Sequence, residues 1–146
     1  CAVGVGERVG NTPMELLLLN LKLMGVVDND LSGLGDYVET VSRHYRVPLP
    51  HAWPALGRDA YRVTSQSSAS RLLELLQLGE RELMERQLSG VAPRLVGRDL
   101  DFAVGPQSGP ANVEGLLARL GREASPQERE ALLEQARTLR RAVEVT

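Results

Sequence analysis

Residues 1–25, CAVGVGERVGNTPMELLLLNLKLMG, decide how the rest of the chain is read. Small and β-branched residues alternate at its start, with Cys1, Val3 and Val5 separated by Ala2 and Gly4. That pattern disfavours a helix and predicts a short, tightly packed strand. A glycine-rich turn follows, carrying Glu7, Arg8 and Asn11. Thr12-Pro13-Met14-Glu15 then has the marks of a helix start. Thr12 suits the cap, Pro13 suits the first helical position, and Glu15 is placed to reach back to the cap amide. The helix is expected to run from Thr12 to about Met24, with Gly25 closing it. Leu16, Leu17, Leu18, Leu19, Leu21 and Leu23 make it apolar on most sides, which predicts burial between other layers. Strand, polar turn and capped helix is the order of a β/α unit, in which chemistry gathers at the turn after the strand.

Downstream the pattern is mostly helical. Asp36, with Glu39 three residues on, predicts the head of a second helix whose apolar face is Tyr37, Val38, Val41 and Tyr45. Pro48, Pro50 and Pro54 predict an extended connector over Val47–Ala55. The Ser-rich stretch from Thr64 to Ser70 leads into a leucine helix that Gly79 breaks, and Glu80–Leu88 reads as another short helix. Leu100–Val104 alternates like a strand. Gly105–Pro110 is a turn, and Ala111–Leu120 a helix stopped by Gly121. Ser125-Pro126-Gln127-Glu128 has the spacing of a capping box and opens a last helix expected to reach about Val145.

Composition narrows the classes of function. A chain of 146 residues with 42% hydrophobic content supports a globular fold with a real core. The net charge of −2, with both signs interspersed, gives no sign of nucleic-acid or anionic-membrane binding. Lys22 is the one lysine, and basic charge is otherwise arginine. A single cysteine excludes an internal disulfide and fits a reducing, cytoplasmic setting. The apolar run Leu16–Leu19 is too short to span a bilayer, and no signal peptide is visible. A chain opening at Cys1, inside a strand-like stretch, reads as a piece of something longer.

One stretch imitates a calcium loop. Asp28, Asp30, Ser32, Asp36 and Glu39 take loop positions one, three, five, nine and twelve of an EF-hand, with Gly33 at the sixth. Position eight is Gly35 where an apolar residue is normal, no second hand follows, and Gly25 ends the entering helix early. The competing reading is an acidic turn between two helices.

The turn Gly4-Val5-Gly6-Glu7-Arg8-Val9-Gly10-Asn11 carries a more specific signal. It resembles the G-[IV]-G-E-R-x-G-N segment at the last barrel strand of the 2-isopropylmalate synthase family, relatives of the homocitrate and citramalate synthases. The similarity extends through Thr12–Leu17, Asn20–Leu23, Asp28–Leu31 and Tyr37-Val38. It continues at Gly57-Arg58-Asp59-Ala60-Tyr61-Arg62, Ser89-Gly90-Val91, and Gly105–Gly109 with Asn112-Val113.

The resemblance implies a metal-dependent aldol-type acyltransferase on a (β/α)8 barrel, condensing acetyl-CoA with a 2-oxo acid, as in leucine and other branched-chain amino-acid biosynthesis. A divalent metal, Mg or Mn, is implied as cofactor. Asn11 stands at the family's metal-site asparagine, Glu7 at its acidic catalytic position, and Arg8 beside them as a candidate for the anionic substrate. The family's other metal ligands, an acid on the first strand and an H-x-H on the seventh, lie on strands absent from these residues. Two family positions are substituted: Ser68 stands where a catalytic histidine belongs, and Leu88 where a tyrosine belongs. Serine does not replace imidazole as an acid–base group near neutral pH, and leucine donates no hydrogen bond. His44 and His51 are isolated and do not replace it.

The expected fold class is therefore mostly α with few short strands, formed by the last β/α unit of a barrel and a helical post-barrel subdomain. Residues 1–47 would hold the last strand and closing helices, 48–90 the connector and helical subdomain, and 91–146 a small α/β subdomain ending in a long helix. Expected partners are acetyl-CoA and a 2-oxo acid, with a homodimer of the full-length parent or association with the rest of the barrel. The alternatives are an impaired homologue or partner subunit that binds without turnover, and a small EF-hand-like calcium-binding protein. These last two separate cheaply. Millimolar calcium is expected to leave the melting temperature where an ionic-strength control leaves it; a saturable rise abolished by Glu39→Gln would establish the calcium site.

Overall fold

The computed structural model describes residues 1–8, 10–87 and 89–138. They form two compact units, residues 1–60 with 91–99 and residues 61–90 with 100–138. The described chain is mostly helical with two very short strands, and no described helix is long and apolar enough to cross a membrane.

The first unit contains α1 (Met14–Leu23), α2 (Leu34–Tyr45) and two 3₁₀ turns, Ala2–Gly4 and Pro93–Val96. The Ala2–Gly4 turn packs against both helices, and Ala2, Leu19, Leu31, Leu34, Val38, Leu56 and Val96 are buried. The opening stretch is thus not the strand its alternation predicts. Val3 and Gly4 sit at φ +56° and +67°, in left-handed backbone that no strand contains. An extended segment needs a neighbour for its amides, and among the described residues none pairs with it. Instead Val3 N–H bonds the Glu15 carboxylate and Val5 N–H bonds Ala2 O.

α1 begins two residues later than expected, with Pro13 at its cap position and no side-chain capping bond. Gly25 closes it as expected: at φ +72° it lets its own N–H reach Lys22 O and Val26 N–H reach Leu21 O. The leucine content overstated burial, since Leu19 is buried while Leu17 and Leu23 are about half exposed. α2 starts at Leu34 rather than Asp36, because the turn chemistry comes earlier. Asp30 Oδ1 accepts the Ser32 N–H, and Gly33 takes the cap position. Leu34 and Val38, one turn apart, form its buried stripe, whereas Tyr37 and Tyr45 are exposed and Val41 is half-buried. The proline connector is not extended throughout. From Pro50 it folds into turns, with Trp53 N–H on Pro50 O, Gly57 N–H on Trp53 O and Asp59 N–H on His51 O.

The second unit contains β1 (Arg62–Val63), α3 (Gln66–Gln77), α4 (Arg81–Gln87), β2 (Asp101–Phe102), α5 (Pro110–Leu120) and α6 (Pro126–Arg137). β1 and β2 are parallel, with Arg62 opposite Asp101 and Val63 opposite Phe102. Sequence placed no strand at 62–63, and the one expected over Leu100–Val104 is shorter, though it includes the pairing residues. Helix α5 packs on α3, α6 and β2, burying Val63, Ala69, Leu72, Leu75, Phe102, Val113, Leu116 and Leu133. Gly115 lies against the Phe102 ring, with no room for a Cβ.

A buried polar clip fastens the two strands to α5. Asn112, with no exposed surface, donates to Val63 O (3.2 Å) and Ala103 O (3.3 Å), while its Oδ1 accepts Gly109 N–H. Ser108 Oγ donates to Thr64 O (2.6 Å) and accepts Gly105 N–H. The capping box on α6 forms as its sequence requires. Ser125 Oγ accepts Glu128 N–H, and Glu128 Oε2 accepts Ser125 N–H at 2.7 Å. The expected end of this helix near Val145 lies outside the described residues.

Two outcomes follow. Asn112→Ala takes the acceptor from the buried Gly109 N–H and one of two bonds from each of Val63 O and Ala103 O, and is expected to lower unfolding free energy by about 2 kcal/mol in urea denaturation. The Ser125 backbone N–H, and then its hydroxyl, hold the Glu128 carboxyl below the usual carboxylate range. A depressed folded pKa gives support that is complete above the ordinary glutamate pKa and is lost as pH falls through the folded value. Amide protection in the first turn of α6, taken relative to the intrinsic exchange rate at each pH, should therefore fall on acidification, and Glu128→Gln should flatten that dependence.

Candidate functional site

The turn between Ala2–Gly4 and α1 brings Glu7, Arg8 and Asn11 together. These residues, with Gly10, line an open recess of about 490 Å³. Asn11 Nδ2 donates to Arg8 O at 2.8 Å. With the amide nitrogen so engaged, the side chain has its Oδ1 left as an acceptor.

Two glycines make room for this arrangement. A Cβ at Gly4 would meet Asn11 O at 2.9 Å, and one at Gly6 would collide with Asn11 Nδ2. The Gly4-Val5-Gly6 pattern is therefore spatial as well as conformational: any side chain at position 6 displaces the asparagine. Glu7 and Arg8 are both exposed and, among the described residues, form no ion pair with each other. The turn thus offers one carboxylate, one guanidinium and one amide oxygen.

Beneath it lies a residue whose role sequence reading missed. Glu15 has no exposed surface. Both its carboxylate oxygens accept Val3 N–H at 3.0 Å, and Oε1 also accepts the Trp53 indole N–H at 3.1 Å. Beside it, Met14 N–H bonds Cys1 O at 3.0 Å. The expected reach from Glu15 to its own helix cap does not form. The signal available was a carboxylate inside a leucine-rich helix, which has to find donors if it is buried.

The other singled-out residues stand elsewhere. Ser68 belongs to the second unit, in the first turn of α3, where its Oγ accepts from Ser65 Oγ at 2.9 Å and its N–H bonds the same capping oxygen. Leu88 lies outside the described residues. In the calcium-like loop, Lys22 Nζ bonds Asp28 at 2.6 Å and, by that bond and its charge, holds the Asp28 carboxyl below the usual range. Asp30 is held low first by the Ser32 backbone N–H, and Glu39 pairs with Arg43 at 3.2 Å. His44 Nδ1 lies 2.9 Å from Thr40 O, and His51 sits exposed in the 50–59 turns. Among the described residues, no group of three or more His, Cys, Asp or Glu is gathered to hold a metal. Asn11 and Glu7 are hard oxygen donors of the kind Mg or Mn accepts, but two side chains are fewer than such an ion's usual shell.

No protein-family model matches the chain. Over 138 residues, 93% of its length, it is 30% identical to a protein of Methanosphaerula palustris named as an (R)-citramalate synthase. It is 28% identical over 120 residues, 81% of its length, to the homocitrate synthase of Methanothermobacter thermautotrophicus. A protein of Archaeoglobus fulgidus named as an (R)-citramalate synthase is 25% identical over 132 residues, 89% of the chain. The chain spans about a quarter of the length of these relatives, 26%, 28% and 25% respectively. Over most of its own length the chain is thus homologous to citramalate and homocitrate synthases, which belong to the 2-isopropylmalate synthase family.

Proposed function

We propose that this chain supplies the asparagine-bearing turn and the post-barrel helices of a 2-isopropylmalate synthase-like acyltransferase. The reaction would join acetyl-CoA to a 2-oxo acid in an aldol-type condensation, with release of free CoA. The observation that carries this reading is the held Asn11 side chain. Its nitrogen is fixed on Arg8 O, its oxygen is an available acceptor, and Gly4 and Gly6 give it the space. The names of the relatives point to the same chemistry.

In this reading Asn11 and Glu7 contribute oxygens to a Mg or Mn site, and a bound divalent ion supplies Lewis-acid polarisation of the ketone. The remaining ligands would come from an acid and an H-x-H on other barrel strands. Arg8, a guanidinium without an ion-pair partner among the described residues, is placed to take the substrate carboxylate. Glu7 is the candidate for proton handling. The 1–47, 48–90 and 91–146 segments would serve as barrel closure, connector with helical subdomain, and small terminal subdomain.

A second form of the reading, an impaired homologue that binds without turnover, draws on Ser68. Its hydroxyl is engaged with the cap of α3 through Ser65, and an alcohol has no protonation equilibrium near neutral pH to replace imidazole. The tests use the full-length protein that carries this chain. Asn11→Ala is expected to weaken Mn binding by at least about 10-fold with the fold unchanged; unaltered binding would remove Asn11 from the site. Metal-dependent 2-oxo acid binding is expected with little CoA release. Ser68→His with Leu88→Tyr should raise turnover by about 10²-fold or more, and by more than either change alone. Family-typical turnover in the unmodified protein would sink the impaired form and leave the active one.

A further inference from the structure

We propose that Glu15 is a positioning residue for the Asn11 turn, acting through the backbone of Val3 to Gly6 without itself lining the recess. The inference deepens the reading above and rests on it for the metal. Glu15 holds Val3 N–H with both oxygens, and Val3 stands at φ +56°, a conformation that β-branched residues rarely adopt. Such backbone persists only where surroundings over-determine it. Here the carboxylate supplies that constraint from below, while Met14 N–H on Cys1 O and Val5 N–H on Ala2 O fix the flanks.

The segment so held runs directly under the asparagine. Gly4 faces Asn11 O and Gly6 faces Asn11 Nδ2, each too closely to admit a Cβ. A displacement of Val3 therefore moves the floor on which the Asn11 amide lies. Trp53 completes the device from the other side. Its indole N–H takes the remaining direction on Oε1, so the carboxylate is braced between the Pro50–Asp59 turns and the Ala2–Gly4 turn. A glutamine cannot do the same work. Its one oxygen would have to serve both donors, and its amide N–H would face the Val3 N–H.

The test is carried out on the full-length protein that carries this chain, labelled with ¹⁵N at asparagine and tryptophan, with MnCl₂ as the metal probe. The readouts are the Asn11 side-chain amide and Trp53 indole resonances, with far-UV circular dichroism as the control for folding. Glu15→Gln is expected to leave helical content unchanged, shift the indole resonance, and move the Asn11 amide toward the position of an exposed asparagine. Trp53→Phe keeps the Glu15 bond to Val3 while removing the indole donor, and should move the Asn11 amide in the same direction by less. It also decides the matter if Glu15→Gln fails to fold. An Asn11 amide at its original position in every folded variant would overturn the proposal and leave Glu15 a merely structural residue. In the unmodified full-length protein, where the ligands of the other strands are present, MnCl₂ should broaden the Asn11 amide. Absence of broadening would overturn the metal reading of the turn, while the Asn11 shifts would still decide the link to Glu15.

Discussion

A carboxylate with no exposed surface must find its hydrogen-bond donors inside the fold, and Glu15 finds them on two sides. Left without donors, such a group would cost several kcal/mol in desolvation. Met14–Leu23 carries Glu15 into the interior, so the Ala2–Gly4 turn and the Trp53 indole have to come to it. That requirement fixes the left-handed Val3, and Val3 fixes where Gly4 and Gly6 pass beneath Asn11. The geometry of the candidate site therefore depends on a residue that lies outside it.

The second unit meets a similar requirement by different means. Two strands of two residues each make too short a ladder to stand alone. Ser108 and Asn112 bond Thr64 O and Ala103 O at the end of the ladder, Asn112 adds a second bond to Val63 O, and helix α5 covers the pair with Val113 and Leu116. The polar groups are satisfied from within, so the burial of Asn112 is stabilising rather than costly.

What was legible in the sequence was local. The Ser125–Glu128 box, the glycine stops at 25, 79 and 121 and the breaks between helices all depend on residues within a few positions of one another, and all of them form. The reading of Thr12–Glu15 used the same logic and failed, because Glu15 is claimed by Trp53, 38 positions away. The alternation of Cys1, Val3 and Val5 fits a strand, but period-two patterning carries no information about whether a neighbour exists to pair with. Likewise β1 is invisible in Arg62-Val63, since its only cause is Asp101-Phe102 lying alongside. The Gly4–Asn11 turn was visible as a motif through its resemblance to a family segment, and the room its glycines leave for Asn11 is a local feature. The turn's support was not visible, because that comes from distant residues.

One feature of chain order bears on how the protein is made. The first unit is discontinuous: residues 91–99 return to it after the chain has passed through 61–90. The return is not decorative. A Cβ at Gly35 would press on Val96 O at 3.3 Å, one at Gly97 would collide with Ser32 O, and Arg98 Nη1 donates to Leu56 O. During synthesis, then, residues 1–60 emerge from the ribosome without the segment that packs on Ser32, Gly35 and Leu56, and wait incomplete while about thirty more residues are added. Cutting the gene after residue 60 would yield not a complete unit but a nascent intermediate. A chain that must loop back in this way is one whose halves are inherited together, since neither can be shuffled away without opening the core beneath α2.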